Sequence, residues 1–538
     1  MKRSVLLAAG GLLLLAPAGN GAAPASERAA LDGPRLDDLG ITSGRPFAGD
    51  RRLLATVSPN GDGLRDRAVV RFRLEHRAKV VLRVIVCGKH PRAIRTIGAR
   101  FGPGRHVLVW APRSRLPART YLLRLKVTAP NGERRVYGDL HHWLARTQPA
   151  PVVRVLDISA GFTKRSYAPG ALAYLRVATD EPAFTLQLFQ AGPETEPTTG
   201  DAMEGIPVGD PQQVDWSADR DAPATISVRL GDWPNGIYFA RLTAPDGQSY
   251  YAPLVVRPQR WGANRVAVVI HTNTWQAYNF QDADGDGWGD TWYASDDIQK
   301  VDLSRPFIGL GAPPRWRKYD LPFLRWLYRT GKQVDFLTDD DLERFSSPAA
   351  LAQLYDLIVF PGYDEYVTRH AYDLVAGYRN RGGNLIFLSA TNFLWRVDRH
   401  GSRIRRVAEW RALGRPKARL VGVAYKGNDE GQHHGHYVLS RFGRRSWELA
   451  GIDPAALGAW RWLGIEYDMT TRNSPRGIRV LARVNPHMRN RRLRGDMTYY
   501  RRGAAQVFAT GTLNFPAALV YPQFRQLLEN VWQRLAVP

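Results

Sequence analysis

Cysteine is almost absent from this sequence. The only cysteine among the 538 residues is Cys87, so no disulfide bond can form within one chain. Stability must therefore come from hydrophobic cores and from any metal that the protein binds. Because no cysteine follows residue 87, a cysteine nucleophile is excluded from the whole C-terminal part of the chain.

Long apolar runs are also missing beyond the N-terminus. Lys2 and Arg3 precede one apolar run at residues 5–15, and small residues follow it, a pattern that predicts a secretory signal peptide at residues 1–25. No later stretch approaches the roughly 18 uninterrupted apolar residues that suggest a transmembrane helix. We therefore expect no membrane span and a protein that is secreted, extracellular or associated with the cell wall.

Acidic residues are outnumbered in this chain. It has 75 lysines and arginines against 50 aspartates and glutamates, a formal net charge of +25. The basic groups, such as RNRRLR at residues 489–494, are short and scattered, and no zinc-finger spacing, RNP-type aromatic motif or long basic helix accompanies them. We expect no specific nucleic-acid binding. The charge favours a solvated surface or loose association with the anionic polymers of a cell envelope.

The chain is predicted to be multidomain, since 538 residues exceed what one hydrophobic core normally holds. Residues 26–50 are predicted to be a linker. Residues 51–141 and 150–258 contain short alternating runs, such as AVVRFRL and ATISVRL, divided by turn residues, which predicts two immunoglobulin-like β-sandwiches. Residues 262–538 alternate apolar strands with helical patterns, which predicts a doubly wound α/β domain.

Ligands of a doubly wound sheet bind beyond the carboxyl ends of its strands. After the predicted strand DLIVF, the chain continues as PGYDEY at residues 361–366. This segment brings two carboxyl groups and two phenols to that edge of the sheet. Capping of the following helix by Asp364 and Glu365 explains these acids without any catalytic role, and composition alone favours capping.

A second acidic segment, QDADGDGWGD, lies at residues 281–290. It contains the D-x-D-x-D-G opening of a calcium loop, in which carboxylates at positions 1, 3 and 5 converge on one ion and glycine permits the turn. Position 12 is Tyr293, where an EF-hand has a bidentate glutamate, so a solvated acidic turn is the alternative. The predicted calcium ligands are Asp282, Asp284, Asp286 and Asp290.

Two parts of the chain resemble known families. SPNGDGLRD at residues 58–66 resembles the flagellar-hook-cap-type immunoglobulin-like domains of exported bacterial proteins. From residue 265 onward, HTNTWQAYN, YDLIVFPGYDEY, RGGNLIFLSATNFLW, WLGIEYD and QVFATGTLNF occur in an order that resembles the C-terminal domain of the N,N-dimethylformamidase large (beta) subunit. The resemblance implies a fold like that of class I glutamine amidotransferases, without their cysteine chemistry.

This second resemblance implies hydrolysis of an amide at a mononuclear iron held by two tyrosines and a glutamate. Phenolate and carboxylate oxygens suit a hard ferric ion. Matched by motif, the glutamate is Glu365 and one tyrosine is Tyr278. The R-P-Y of the family is R-P-F here, ending in Phe307, so the second tyrosine is left open between Tyr319 and Tyr293.

Three further residues complete the predicted site. Tyr363 stands where the family commonly has histidine, either as a replacement metal ligand or as a bulky plug. Asp364 lies beside the predicted glutamate ligand. Glu466, in the family segment GIEYD, is predicted to act as a base near the metal or to cap a helix.

The leading prediction is an exported, metal-dependent hydrolase of an amide-type C–N bond, with iron and calcium as its cofactors. The sequence has no glycine-rich phosphate loop, G-x-S-x-G elbow or H-E-x-x-H motif, which argues against a nucleotide enzyme, a serine esterase and a zincin. The signal peptide and the sandwiches favour a substrate larger than dimethylformamide. The alternative is a catalytically inactive α/β domain that serves as a binding or structural module at the cell surface, which Phe307 and Tyr363 favour.

Overall fold

Strands with alternating burial dominate the N-terminal half of the chain. The structure, a computed structural model, describes residues 33–114, 116–140, 148–194, 202–295, 297–484 and 493–537. The predicted signal peptide lies outside the described residues. Over these residues the protein is multidomain and mostly β, with several separate sheets.

The first region consists of two sheets packed around one core. Its strands are β1 (Asp37–Thr42), β2 (Leu54–Val57), β3 (Ala68–Leu74), β4 (Ala78–Val86), β5 (Arg92–Phe101), β6 (Gly104–Trp110), β7 (Arg119–Thr128), β8 (Arg134–Tyr137) and β9 (Val152–Val155). One sheet has the order β1-β3-β6, and the other has the order β2-β9-β7-β4-β5, with β8 paired to β7. Val70, Phe72 and Leu74 of β3 are buried while the arginines between them are exposed, as in any strand with one face on a core.

Two strands of this region lie outside the predicted limits of the first sandwich. Strand β1 lies inside residues 26–50, which were predicted to be a linker, and it pairs antiparallel with β3. Strand β9 lies beyond residue 150, the predicted start of the second sandwich, yet it pairs with β2 and β7. Both strands belong to the first region because they cover strand edges that would otherwise present unpaired backbone groups.

The second β region packs directly against the C-terminal region. Its strands are β10 (Ser159–Phe162), β11 (Ser166–Tyr167), β12 (Leu172–Ala178), β13 (Ala183–Gln190), β14 (Ile206–Asp215), β15 (Ala224–Arg229), β16 (Gly236–Thr243) and β17 (Ser249–Val256). They form the sheets β10-β12-β15 and β11-β17-β16-β13-β14. Phe239 and Tyr251 of this region pack in one hydrophobic cluster with Leu324 of the C-terminal region. The second β region and the C-terminal region therefore share a hydrophobic core.

The C-terminal region contains helices as well as three further sheets. Its strands are β18 (Val266–Ile270), β19 (Lys300–Asp302), β20 (Asp335–Thr338), β21 (Leu357–Phe360), β22 (Tyr366–Thr368), β23 (Asn384–Phe387), β24 (Trp395–His400), β25 (Arg403–Glu409), β26 (Ala424–Asn428), β27 (Tyr437–Leu439), β28 (Glu466–Met469), β29 (Arg479–Val484), β30 (Gly495–Arg502) and β31 (Ala505–Ala509). Its α-helices are α1 (Thr272–Ala277), α2 (Trp316–Tyr319), α3 (Leu321–Arg329), α4 (Asp339–Leu342), α5 (Pro348–Leu354), α6 (Arg369–Asn380), α7 (Ala418–Val421), α8 (Pro454–Ala459), α9 (Phe515–Ala518) and α10 (Pro522–Leu535), with short 3-10 helices at Gly443–Arg445 and Trp447–Leu449.

The large sheet of this region determines where a ligand can bind. Its order is β20-β18-β21-β23-β31-β30-β29-β27. The pairs from β20 to β31 are parallel, and the remaining pairs are antiparallel. The carboxyl ends of β18, β21 and β23 are therefore adjacent along one edge. Within the described residues, no helix is long and apolar enough to cross a membrane.

Candidate functional site

Three loops meet at the carboxyl edge of the parallel strands. They follow β18, β21 and β23, which are consecutive neighbours in the sheet, so the loops lie side by side. The backbone N–H of Glu365 donates to Thr274 Oγ1 at 3.0 Å, and the N–H of Trp395 donates to the carbonyl oxygen of Glu365 at 2.9 Å. Neighbouring loops therefore fix the Glu365 backbone on both sides.

These loops form the floor of a cavity of about 800 Å³. A volume of this order accommodates a drug-sized ligand. Aromatic rings and carboxyl groups are prominent on its walls. The C-terminal region supplies, among others, Tyr278, Glu365, Tyr366, Thr391, Trp395 and Glu466.

A tyrosine–glutamate pair lies on the cavity floor. Tyr278 follows the last residue of α1, and its hydroxyl donates a hydrogen bond to Glu365 Oε2. The ring of Tyr366 lies 6.0 Å from the ring of Tyr278, edge to face. Two phenols and one carboxyl group from two loops therefore meet at one place.

Burial dominates the protonation of these three side chains. It raises the pKa of Glu365 to about 7, while the hydrogen bond from Tyr278 and the charge of Lys417 limit the rise. Burial also raises the pKa of Tyr278 and of Tyr366 well above 10, and the negative charge of Glu365 adds to both shifts. At neutral pH both phenols are therefore protonated, and Glu365 is close to its titration midpoint.

A second buried carboxyl group faces the same cavity. Glu466 is the first residue of β28 and lines the cavity, and its Oε2 is buried with no hydrogen-bond partner in the described part of the chain. Burial, followed by the charges of Glu365 and Asp468, raises the pKa of Glu466 to about 8. Two neighbouring carboxyl groups whose proton affinities are shifted by burial are a common feature of acid–base sites.

A buried ion pair supports this part of the floor. Lys417 Nζ lies 2.6 Å from Asp468 Oδ2, and both side chains are almost completely buried. The N–H of Thr391 donates to the two carboxylate oxygens of Asp468 at 3.3 and 3.2 Å. Thr391 has a φ of 61°, a left-handed conformation that costs a non-glycine residue about 1–3 kcal/mol. The Asp468 carboxylate holds this strained residue in place at the cavity wall.

Asp364, predicted to be catalytic, does not line the cavity. Its neighbour is Asp339, which accepts hydrogen bonds from Thr272 Oγ1 and from the N–H of Asn273 at 3.0 and 2.8 Å. Burial, followed by the charge of Asp339, raises the pKa of Asp364 well above its usual value. Asp364 is therefore one member of a buried carboxyl pair beside the start of α1.

The other tyrosines considered as ligands are distributed around the floor. Tyr363 is buried, and its ring stacks 5.7 Å from the ring of Tyr278. Tyr319 packs edge-on against Tyr363 at 5.9 Å, and neither of the two lines the cavity. Tyr293 lines it, but is 51% exposed. Phe307 lies in the core shared with the second β region, away from the cavity lining.

The acidic loop brings three aspartates together. The ligand atoms of Asp282, Asp284 and Asp286 all lie within 4.8 Å of one another, and the loop could bind a metal ion. Asp282 is buried whereas Asp284 and Asp286 are exposed. Asp290 instead accepts a hydrogen bond from the N–H of Ala283 at 2.8 Å. Three of the four predicted calcium ligands therefore have ligand atoms close enough together to bind one ion.

The same loop packs against the first β region. Arg51 donates to the carbonyl oxygens of Asp284 and Gly285 at 2.7 and 3.1 Å. A Cβ atom at Gly285 would lie 2.6 Å from Leu54, so the backbone approaches β2 as closely as only glycine permits. Trp288 packs against the first core and also lines the cavity. The acidic loop therefore joins the first β region to the cavity wall.

The first β region also contributes directly to the cavity through Gly88, Lys89, Pro91 and Leu140. Lys89 Nζ lies 2.6 Å from the Glu430 carboxylate of the C-terminal region and 5.7 Å from the centre of the Tyr293 ring. The cavity is consequently formed by two regions of the chain. No sequence pattern indicated this, because these residues are separated by more than a hundred positions.

Two residues of the floor received no ligand or catalytic role from the sequence. Tyr366 is the second tyrosine of YDEY, and its position directly after Glu365 was the signal available for it. Lys417 gave no signal, because its partner Asp468 is 51 residues away and the pair forms only in the fold.

The fold and the site define a multidomain, mostly β protein whose C-terminal region contributes most of an acid-lined cavity. Residues 208–527 match the family model described as N,N-dimethylformamidase beta subunit-like, C-terminal, which is more than half of the chain. The chain belongs to this family. The match begins within β14 of the second β region and includes the whole cavity floor. Membership supports a hydrolase-type function at the level of the family.

Other comparisons are distant. No curated protein matches the chain. The crystal structure of beta-galactosidase from Bacillus circulans sp. alkalophilus is similar with 14% identity and a TM-score of 0.29, over 52% of this chain and 32% of that chain. Escherichia coli alpha-2-macroglobulin activated by porcine elastase is similar with 10% identity and a TM-score of 0.16, over 41% of this chain and 20% of that chain. The chain thus spans about a third and a fifth of these two proteins, and neither likeness bears on function.

Proposed function

We propose that the protein hydrolyses an amide-type C–N bond in the cavity beside Glu365 and Tyr278. The observation that carries this proposal is the hydrogen bond between these two buried side chains, on a floor that also presents Glu466. Membership of the dimethylformamidase-like family supports the same type of reaction. The raised pKa values of Glu365 and Glu466 match the proton transfers that amide hydrolysis requires near neutral pH.

The donor atoms on the floor fit a hard metal ion, and the family resemblance favours iron. Tyr278, Glu365 and Tyr366 would hold it through two phenol oxygens and one carboxylate oxygen. Burial disfavours the charged forms of all three side chains, and a nearby cation reverses that preference. When bound, such an ion polarises a carbonyl group and lowers the pKa of water.

The side chains of the protein manage the protons and the substrate. Glu466, with its pKa near 8, carries a proton at neutral pH and can give it to the nitrogen of the departing amine. The hydroxyl of Tyr278 donates a hydrogen bond to Oε2 of Glu365 and so fixes the orientation of that carboxyl group. Aromatic walls, including Trp292 and Trp395, position the substrate and limit the access of water.

Several wider properties belong to the same proposal. The predicted signal peptide would direct the protein out of the cell, and calcium would occupy the acidic loop. The five adjacent parallel strands from β20 to β31 support a glutamine amidotransferase-like arrangement of the C-terminal domain. The domain limits of the two immunoglobulin-like sandwiches follow the two N-terminal β regions, with β1 and β9 added to the first.

A catalytically inactive binding module is the second candidate. The close stacking of Tyr363 on Tyr278 favours it, because a ring in this position restricts the movement of Tyr278. Under this alternative the hydroxyl of Tyr278 serves only to satisfy the buried Glu365 carboxylate.

Hydrolysis of a panel of small and extended amides, measured as amine release, separates the two candidates. We expect the wild-type protein to release amine, Tyr278→Phe to lose at least about tenfold in kcat, and Tyr174→Phe, an exposed change on the second β region, to match the wild type. If all three proteins release no amine while iron binds to the wild type, the binding module is the better description.

A further inference from the structure

A second groove adjoins the cavity. It has a volume of about 690 Å³ and is open to solvent along the hairpin β24–β25 and the start of α7. Trp395 and Glu409 line both the groove and the cavity. The two spaces therefore meet at one indole ring and one carboxyl group.

The groove is positively charged. Arg411, Arg419 and Arg472 line it, and all three are exposed. Glu409 is the acidic residue of its lining and lies 2.5 Å from Arg411. Because one carboxylate faces three guanidinium groups, the groove keeps an excess of positive charge after this pairing.

A backbone hydrogen bond also connects the groove to the cavity floor. The N–H of Trp395 donates to the carbonyl oxygen of Glu365 at 2.9 Å, so the residue that separates the two spaces is bonded to the candidate catalytic glutamate. A molecule with its amide over Glu365 that extends past Trp395 would reach the groove. The combined space far exceeds the needs of a small amide.

We propose that the substrate is an extended amide whose carboxylate-bearing part lies in this groove, against Arg411, Arg419 and Arg472. This inference rests on the proposed amide hydrolysis and names the substrate class of the same site. Arginine suits the role because its planar guanidinium group binds carboxylates through two parallel hydrogen bonds. The net charge of +25 assists the approach of such a chain to the protein.

The test compares peptide binding to the full-length protein at a salt concentration of about 0.15 M. The probes are N-acetylated hexaglutamate, N-acetylated hexaglutamine of equal length, and inorganic tripolyphosphate, with binding followed by tryptophan fluorescence and calorimetry. We expect hexaglutamate to bind about tenfold more tightly than hexaglutamine. The triple variant Arg411→Gln, Arg419→Gln, Arg472→Gln should lose this preference.

A matched control changes the same amount of charge elsewhere. Arg381, Arg501 and Arg534 line another open groove of about 630 Å³, which includes Asn384 at the amino end of β23 and is therefore at the opposite edge of the sheet. The triple change of these arginines to glutamine should alter hexaglutamate affinity by less than about twofold. Equal losses in both triple variants, or equal binding of the two peptides, would overturn the proposal. Tighter binding of tripolyphosphate that only the first variant abolishes would also overturn it, by making the groove a phosphate site.

A single variant guards against misfolding of the triple variant. Arg472→Glu changes an exposed side chain and should weaken hexaglutamate more than hexaglutamine, with an unchanged melting temperature. Binding does not depend on turnover. A protein that binds hexaglutamate in the groove but hydrolyses no amide would refute the proposed function alone, whereas amide hydrolysis without any peptide preference would refute the substrate class alone.

Discussion

Tyr278 and Asp282 are four residues apart in the sequence, but they belong to two acidic regions that are stabilised in different ways. In the acidic loop, the carboxylate oxygens of Asp282 accept hydrogen bonds from the N–H groups of Gly285 and Gly287 at 2.7 and 2.8 Å. On the cavity floor, Glu365 instead accepts a hydrogen bond from a tyrosine. The loop carboxylate is held by the backbone, whereas the floor carboxylate is held by another weak acid.

This difference separates a structural role from a chemical one. Backbone N–H groups favour the charged carboxylate and oppose the effect of burial, which raises the pKa of Asp282 to about 7. On the floor, the negative charge of Glu365 raises the pKa of Glu466 beyond what burial alone does. The floor therefore keeps two buried acids close together at an energetic cost that folding does not require, which is common at functional sites.

The largest expected effect is the loss of activity in Glu365→Gln. Glutamine keeps the size of the side chain but cannot accept a proton or bind a hard cation as a carboxylate does, so we expect amide hydrolysis to fall by at least about 100-fold. In the metal-free protein the melting temperature should stay equal or rise, because a buried acid has been removed. Kinetics and thermal melting check both outcomes, with Glu75→Gln on the exposed surface as control. If Glu365→Gln kept its activity, the cavity floor would have no role in catalysis.

The variant Asp282→Ala tests whether the acidic loop stabilises the fold. The change leaves the N–H groups of Gly285 and Gly287 without their acceptor, at a cost of about 1–3 kcal/mol, and loosens the contact with the first β region. We expect a lower melting temperature with kcat changed less than about threefold. Asp219→Ala, at an exposed position of the second β region, serves as control in thermal melting. If Asp282→Ala melted at the same temperature as the wild type, the acidic loop would not have the structural role assigned to it.

A smaller effect concerns the pH dependence of stability in the metal-free protein. The pKa of Glu466 rises from 4.5 to about 8 on folding, so its stabilising protonated form is fully present below pH 4.5 and is lost as the pH rises through about 8. Glu466→Gln stays neutral, and above pH 8 we expect it to melt roughly 2–4 °C higher than the wild type. Melting curves in chelator at pH 6 and pH 9 test this sign. A variant that is less stable at pH 9 would mean that the charged carboxylate is well accommodated.

The smallest expected effect is at the rim, where Lys89 pairs with Glu430. Both side chains are substantially exposed, and such pairs contribute about 0–1 kcal/mol. Lys89→Met should therefore barely change the melting temperature. Lys332→Met, which removes a less exposed pair with Glu529, is the matched comparison. A larger loss for Lys89→Met than for Lys332→Met would show that the first β region depends on this contact.

The sequence predicted local features well and distant contacts poorly. Continuous apolar runs such as RVAVVIHT and DLIVF coincide with β18 and β21, because buried strands need no partner information to be recognised. The D-x-D-x-D-G spacing likewise led to the three grouped aspartates. Tyr278 and Glu365 reached the same cavity because each follows a neighbouring strand of one sheet.

Features that depend on the assembly of regions were not predictable. The linker prediction for residues 26–50 failed at β1, since a short strand is recognisable only beside the edge it covers. Asp364 is next to Glu365 in sequence but is turned to Asp339, because consecutive residues in an extended segment point in opposite directions. The packing of the acidic loop on Leu54 requires contacts more than two hundred residues apart.

The metal content of the purified protein tests the central claim most directly. We expect about one transition-metal ion per chain that is lost in Glu365→Gln and retained in the double variant Asp284→Asn, Asp286→Asn. Calcium should show the opposite pattern, lost in the double variant and retained in Glu365→Gln. Loss of both metals in both variants, or the absence of a transition metal from wild-type protein supplied with iron, would contradict the division into a chemical floor and a structural loop.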